Sequence, residues 1–142
     1  MLLDSAEQFG QALDNLHHTE RMTEETVRDP VIATAAAVKL FETCFEQSWR
    51  AMKGILEEHG YTGAATGSPR QIIQLAYRAG LISDEAGWLT MLNSRRVAAH
   101  TYSEETAAEV IASVPEYVRL FEALRSRMQD WLPADEAEKS PL

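Results

Sequence analysis

Three residues in one short segment have side chains suited to phosphate chemistry. The segment WLTMLNSRRVAAHTY, residues 88–102, contains Arg95, His100 and Tyr102. Arginine is a permanent planar cation that matches phosphate geometry, histidine exchanges a proton near neutral pH, and tyrosine has a hydroxyl that donates, accepts or is modified. The combination predicts a phosphate-chemistry site, to which Arg96 adds a second positive charge.

Each of these residue types also has a purely structural explanation. The helix dipole favours an arginine near a helix C-terminus, a histidine there often caps the helix or enters the core, and a tyrosine often packs half-buried. A functional site is favoured because all three residues occur together in one short segment. Elsewhere, His17 and His18 are adjacent and point about 100° apart on a helix, so a solvated face is expected for them. No metal site and no cofactor is predicted, because the histidines and the cysteine of this sequence do not have the spacing of metal ligands.

The composition limits the classes of function. The 142 residues carry a net charge of −9, with 45% hydrophobic and 25% charged residues, as in one globular domain. DNA binding through many phosphates usually needs a basic face, so it is not expected, although a small positive cleft at Arg95 and Arg96 is compatible with this charge. The single cysteine, Cys44, excludes an internal disulfide. Without a signal-like start or a long apolar run, a cytoplasmic protein with no membrane role is expected.

Apolar residues recur three and four positions apart throughout the chain, and this period predicts an all-α protein. One helical domain is expected over residues 1–132, followed by a flexible tail over 133–142. The first helix is expected from about Ser5 to the low twenties. The later helix boundaries are predicted from four local signals, which are Asp29 before Pro30, Ser68 before Pro69, Gly80, and Ser83.

The segment that contains the motif is predicted to cross a junction between two helices. Arg95 is expected near the end of the fourth helix, whereas Thr101 and Glu104 have the spacing of a capping box. A fifth helix is therefore expected to begin just after His100. A symmetric dimer that packs this junction against its own copy would place two arginines and two histidines around one cleft, and would supply both an acid and a base.

The last predicted helix has a proline in its middle. Pro115 cannot donate to the preceding turn, so a kink or a restart is predicted there, with Ser113 and Glu116 as caps. Core positions are predicted from the apolar stripes of all five helices. They include Leu3, Ala6, Phe9, Leu13, Leu16, Val38, Phe41, Phe45, Trp49, Met52, Ile72, Ile73, Tyr77, Trp88, Met91, Phe121 and Met128.

With these residues identified, the chain resembles the HEPN superfamily, and within it the small proteins called nucleotidyltransferase substrate-binding subunits. The resemblance covers about Arg28 to Met128. It rests on Phe41-Glu42 to Trp49-Arg50, Ser68-Pro69-Arg70, Gly80-Leu81-Ile82, Trp88 with Met91-Leu92, and the motif Arg95-x4-His100-x-Tyr102. The motif is the most specific of these features.

The resemblance implies an up-and-down antiparallel bundle of four main helices plus a short helix, which forms a homodimer around the motif. It also implies a partner, a minimal nucleotidyltransferase (MNT). In HEPN toxins the motif Arg and His form a metal-independent RNA-cleaving site, and the MNT partner can silence it by transferring AMP to the motif tyrosine. Carried over, Arg95 would stabilise the phosphorane charge, His100 would transfer protons, and Tyr102 would accept the AMP.

One residue departs from the family pattern, because Arg96 stands where an Asn usually follows the motif arginine. Two functions are therefore carried forward. The first is the toxin component of a HEPN/MNT toxin-antitoxin pair with ribonuclease activity. The alternative is a non-catalytic nucleotide- or substrate-binding subunit of a nucleotidyltransferase complex, in which Arg96 serves binding. A helical dimerisation module with no site is the remaining interpretation.

Overall fold

Five helices make up the described part of the protein. The computed structural model describes the backbone of residues 2–25, 30–100 and 103–131, and the side chains of residues 5–18, 33–98 and 103–131. The helices are α1 (Leu2–Glu25), α2 (Pro30–Glu58), α3 (Pro69–Ala79), α4 (Glu85–His100) and α5 (Glu104–Trp131). No strand occurs within these ranges, so the predicted bundle of four main helices plus one short helix is confirmed. None of the described helices is long and apolar enough to span a membrane.

The long helices α2 and α5 run in the same direction, and α4 packs on both of them in the opposite direction. The ring of Phe41 stacks on Tyr117 with centroids 5.2 Å apart, and His59, just beyond the end of α2, lies 4.9 Å from the ring of Trp131. Contacts therefore follow the same order along both helices. The predicted tail at 133–142 and the predicted cap Asp29 lie outside the described residues.

Aromatic rings from four helices meet at the centre of the core. The ring of Phe121 on α5 lies 5.9 Å from Phe9 on α1, 6.5 Å from Phe41 on α2 and 5.6 Å from Trp88 on α4. The ring of Phe45 is 6.3 Å from Trp88. Such pairs contribute about 0.5–1.5 kcal/mol each beyond the area that they bury. This aromatic cluster fixes the four main helices relative to one another.

Most predicted core positions are buried, and the exceptions are informative. Phe9, Phe41, Ile72 and Met128 are among the confirmed core residues. Tyr77 is the clear error, because 46% of it is exposed. The buried face of α3 consists of Ile72, Ile73 and Ala76, and Tyr77 follows these residues on the outward side of the helix.

The boundaries of α3 confirm the local signals in the sequence. The hydroxyl of Ser68 accepts from the backbone N–H of Gln71 at 3.3 Å, and the Gln71 side chain accepts from the N–H of Ser68 at 2.9 Å. Pro69 occupies the first turn, where a missing N–H costs nothing. At the other end, Gly80 has a φ of 86°, and this left-handed turn lets the N–H of Leu81 donate to the carbonyl of Ala76 at 2.9 Å.

The start of α5 differs from the prediction. The helix begins at Glu104, and its cap is Ser103, whose hydroxyl accepts from the backbone N–H of Thr106 at 3.1 Å. The predicted cap, Thr101, lies outside the described residues. Ser103 is also a hydroxyl residue of the kind that caps helices, and it lies two positions after Thr101.

The predicted restart at Pro115 is wrong, because α5 runs through it without interruption. Ser113 donates its hydroxyl to the carbonyl of Glu109 at 3.0 Å instead of capping a new helix. The apolar stripe continues on both sides of the proline, where Val114 and Val118 are buried. Burial of that continuous stripe against the bundle outweighs the roughly 3 kcal/mol that an interior proline costs.

Candidate functional site

Helix α4 carries the first part of the motif and ends at its histidine. Arg95 lies in the C-terminal half of α4, and His100 is the last residue of the helix. Because α5 starts at Glu104, the junction predicted between the two helices is confirmed. The side chain of His100 and all of Tyr102 lie outside the described residues. The part of the site whose geometry is described is therefore Arg95 and the residues that contact it.

Arg95 is held by a carboxylate on a neighbouring helix. Its Nη2 donates to Oε2 of Glu46 on α2 at 3.1 Å. A third of the arginine side chain, 33%, remains exposed. Because a guanidinium has five N–H donors in a planar fork, this contact fixes the group and leaves other donors for an anion.

Glu46 is the residue that the sequence reasoning missed. Besides Arg95, its carboxylate accepts from Nε1 of Trp49 at 3.1 Å and from Nε of Arg50 at 3.0 Å. Trp49 and Arg50 follow Glu46 by three and four positions, which are neighbours on a helix surface. That spacing was the available signal, but it gives no hint that an arginine 49 positions away joins the group.

The electrostatics of Glu46 favour its charged form. Partial burial raises the pKa of this carboxyl, but the hydrogen bonds from Trp49 and Arg50 and the charges of Arg50 and Arg95 outweigh it. The resulting pKa lies below the ordinary value of 4.5. Glu46 is therefore an anion at neutral pH that holds two arginines.

A second contact holds α4 from the side of α5. The hydroxyls of Ser94 and Tyr117 share a hydrogen bond of 2.6 Å. Tyr117 is buried, and its ring stacks on Phe41 of α2. Since Ser94 directly precedes Arg95, α2 and α5 fix two adjacent residues of the motif helix.

The structure separates the two adjacent arginines of the motif. Arg95 is directed to α2, whereas Arg96 is exposed, together with Asn93 and Val97. Helical periodicity puts the positions of Arg96 and His100 on one side of α4, four residues apart. The two arginines therefore do not form one cation cluster within the described part of a single chain.

Two residues that the sequence analysis set aside have definite environments. Cys44 is buried, and burial raises the pKa of its thiol far above the ordinary range. His17 is not merely solvated, because its Nε2 lies 2.7 Å from Oε1 of Glu122 on α5. Arg125 donates to the same Glu122 oxygen at 2.7 Å and to Oδ1 of Asp14 on α1 at 3.0 Å. These contacts join α1 to α5 and do not involve the motif.

Comparison with known sequences identifies the group of proteins to which this architecture belongs. A family model described as "nucleotidyltransferase substrate binding protein like" matches residues 4–130. A protein of Haemophilus influenzae named probable ribonuclease HepT is 32% identical over 114 residues, which cover 76% of this chain and 77% of that protein.

Two solved structures have a similar fold. A crystal structure of a Thermus thermophilus protein is 31% identical, has a TM-score of 0.70, and matches 84% of this chain and 97% of its own. A Haemophilus influenzae structure, described as revealing the fold of a substrate-binding domain of a nucleotidyltransferase, has a TM-score of 0.77 at 24% identity. It matches 87% of this chain and 98% of its own, and supports the fold alone.

The five helices, with Arg95 and His100 at the end of the fourth, define a HEPN-like helical bundle. Within that class, the chain belongs to the nucleotidyltransferase substrate-binding protein-like family. The resemblance inferred from the motif is thereby confirmed.

The role of Glu46 in stability is testable through its pH dependence. We expect Glu46→Gln to lower the free energy of unfolding by about 1–2 kcal/mol at pH 7, because charge-assisted bonds to two arginines and Trp49 are weakened. A carboxyl whose pKa is lowered by folding stabilises the protein above its unfolded pKa, and this contribution is lost in acid. The difference from wild type, measured by urea denaturation, should therefore shrink as the pH falls below 4.5.

Glu116→Gln is the matched control for this experiment, since Glu116 forms an exposed pair with Arg119 on α5. Its effect should stay within about 0.5 kcal/mol at each pH. A Glu46→Gln difference that is constant between pH 7 and pH 3.5 would contradict the electrostatic role.

The contact between Ser94 and Tyr117 is testable by a double-mutant cycle. Ser94→Ala and Tyr117→Phe should each lower the free energy of unfolding by about 1 kcal/mol, because each leaves a part-buried hydroxyl without its partner. The double variant should lose less than the sum of the two, by about 0.5–1 kcal/mol. Strict additivity in thermal or urea unfolding would show that the two hydroxyls do not stabilise each other.

Proposed function

We propose that this protein is the toxin component of a HEPN/MNT toxin-antitoxin pair, a metal-independent ribonuclease that acts as a homodimer. The observation that carries the proposal is that Glu46 orients the Arg95 side chain while one third of it stays exposed. Arg95 lies five residues before His100 on the same helix. The likeness to a protein named probable ribonuclease HepT supports it.

The proposed reaction is the cleavage of RNA by its own 2′-hydroxyl. His100 takes the proton of that hydroxyl, and the 2′-oxygen forms a bond to the adjacent phosphorus while the bond from phosphorus to the 5′-oxygen breaks. His100 from a second copy of the chain donates a proton to the leaving oxygen. The products are a 2′,3′-cyclic phosphate and a 5′-hydroxyl. An imidazole accepts a proton in its neutral form and donates one in its charged form, so a histidine suits both roles.

Arg95 stabilises the negative charge that develops on the phosphoryl oxygens in this reaction. A donor that is already oriented needs little reorganisation when the charge appears, which is the main source of electrostatic catalysis. Glu46 supplies that orientation through its contact with Nη2 of Arg95. Glu46 also binds Arg50, so it does not fully neutralise the motif arginine.

The proposed regulation is the transfer of AMP to Tyr102 by an MNT partner. The tyrosine oxygen attacks the α-phosphorus of ATP, the bond to pyrophosphate breaks, and pyrophosphate leaves while the phenolic proton is released. The added adenylyl group brings a negative charge and a nucleoside next to the motif. Both would hinder an RNA phosphate from reaching Arg95.

The second candidate function is a non-catalytic nucleotide- or substrate-binding subunit of a nucleotidyltransferase complex. The family description and Arg96, which replaces the usual Asn, favour it. In this function, exposed Arg96 binds a phosphate of the ligand and His100 has no catalytic role.

Ribonuclease activity is tested with the wild-type protein and His100→Ala. We expect expression of wild type alone to arrest growth and degrade total RNA, and the purified protein to cleave RNA in the presence of EDTA. His100→Ala should lower the cleavage rate by about 10²–10⁴-fold, as expected for loss of an acid–base group. Arg119→Gln, a change of an exposed arginine on α5, should cleave as wild type. Intact RNA and normal growth with wild type would reject the toxin function in favour of the binding subunit.

The modification is tested with the MNT partner and ATP. We expect mass spectrometry to show AMP additions to the wild-type protein, and no additions to Tyr102→Phe, because only the hydroxyl can form the new bond to phosphorus. Tyr61→Phe is the matched control, since Tyr61 is exposed and lies outside the motif. Additions that persist in Tyr102→Phe would exclude Tyr102 as the acceptor.

A further inference from the structure

No acidic residue occurs in the part of the sequence that contains α3. The protein has 22 acidic residues, but none of them lies between Glu58 and Asp84. Two arginines, Arg70 and Arg78, lie in that interval, and both are exposed. In a chain with a net charge of −9, this stretch of sequence thus carries two arginines and no negative charge.

The interval contains α3, and its cations lie on one side of that helix. At about 100° per residue, the outward positions fall within an arc of about 120°, opposite the buried face. We call these positions the α3 face; they are Arg70, Gln71, Gln74, Tyr77 and Arg78. The face thus combines two guanidinium groups, two amides and an exposed aromatic ring.

A depression in the surface adjoins the α3 face. Its volume is about 330 Å³, within the range of roughly 300–1,000 Å³ that small-ligand pockets occupy. Thr62 and Thr66, from the loop before α3, line one part of it, and Gln71, Gln74 and Arg78 line another. The lining is therefore mainly polar, and it offers hydroxyl, amide and guanidinium groups to a ligand.

We propose that the α3 face binds single-stranded RNA, and that it is a substrate-binding surface in addition to the motif. The choice of RNA as substrate rests on the proposed function. Arg70 and Arg78 bind phosphates, and the ring of Tyr77 stacks on an unpaired base. The amides of Gln71 and Gln74 both donate and accept, as contacts to base edges or the ribose 2′-hydroxyl require.

The aromatic ring distinguishes this surface from one suited to other anions. An acidic protein or an RNA duplex would pair with the two arginines, but neither offers an unstacked base to Tyr77, which is 46% exposed. The helix spans about 16 Å, at 1.5 Å per residue, so a short single strand can contact both arginines. Charge and stacking together favour the single strand.

Binding is measured in the His100→Ala background, in which the RNA stays intact under the proposed mechanism. The probe is a fluorescein-labelled single-stranded U12 RNA, followed by anisotropy at several salt concentrations. Arg70→Gln combined with Arg78→Gln should weaken binding by at least about 10-fold. It should also make the dependence of log K on log salt shallower by about 1.4, because two phosphate contacts are lost. Tyr77→Ala should weaken binding by about 5–150-fold.

The matched control changes two exposed cations outside the α3 face. Lys39→Gln combined with Arg119→Gln removes the same charge from side chains that are 77% and 79% exposed. We expect the affinity of this control for U12 RNA to lie within about twofold of that of the His100→Ala protein. The twofold range allows for the weak, screened effect of two distant charges. Circular dichroism checks that every variant keeps its helices.

Each contrary result has a definite meaning. Absence of U12 binding, or equal binding by the α3-face variants and the control, overturns the proposal. The proposal is also overturned if the α3-face variants bind RNA normally but no longer form the dimer or no longer bind the MNT partner. In that case the α3 face is a protein interface. A separate cleavage assay of the wild type tests the proposed ribonuclease. Lack of cleavage together with α3-dependent binding rejects the catalytic function and leaves the RNA surface in place.

Discussion

The packing of Phe121 against aromatic rings of three other helices is the interaction on which the described structure depends. It sets α4 beside α2 and α5, because Trp88 of α4 is one of the rings in contact. Once Trp88 is fixed, the C-terminal half of α4 lies where Arg95 reaches Glu46 and Ser94 reaches Tyr117. The polar contacts of the motif helix are thus a consequence of apolar packing about two turns away.

The contact between Glu46 and Arg95 reconciles two demands on a phosphate-binding arginine. A fully exposed arginine has many rotamers, and fixing one of them when a ligand binds costs conformational entropy. A fully buried ion pair would leave no donor for the ligand and would carry a desolvation cost. At 33% and 26% exposure, the two side chains lie between these limits. The arginine is oriented before any ligand arrives and still faces solvent.

Much of the fold could be predicted from the sequence, because it rests on interactions between residues close in sequence. The period of the apolar residues gives the helices, and Ser68 and Gly80 mark the ends of α3 through bonds to residues within four positions. The errors have a different origin. Pro115 is a local helix-breaking signal, but α5 continues through it because its long apolar stripe is buried. Tyr77 is exposed because the bundle covers only one side of α3.

The site was predictable only in part, for the same reason. The types and spacing of Arg95 and His100 indicate the chemistry, and the position of His100 at the end of α4 was expected because capping residues follow it. Glu46 could not be found, because its link to Arg95 is a tertiary contact across 49 positions. The outward direction of Arg96 likewise depends on which side of α4 the bundle covers.

The position of Phe121 and Tyr117 near the C-terminal end of the described chain has a consequence for synthesis. The motif leaves the ribosome before either of these residues, and domains fold as units during translation at about 5–20 residues per second. A nascent chain that stops short of α5 contains Glu46, Arg95 and His100, but it lacks Phe121 and Tyr117, each of which contacts both α2 and α4. The arrangement of the motif helix is therefore completed only after α5 has been translated.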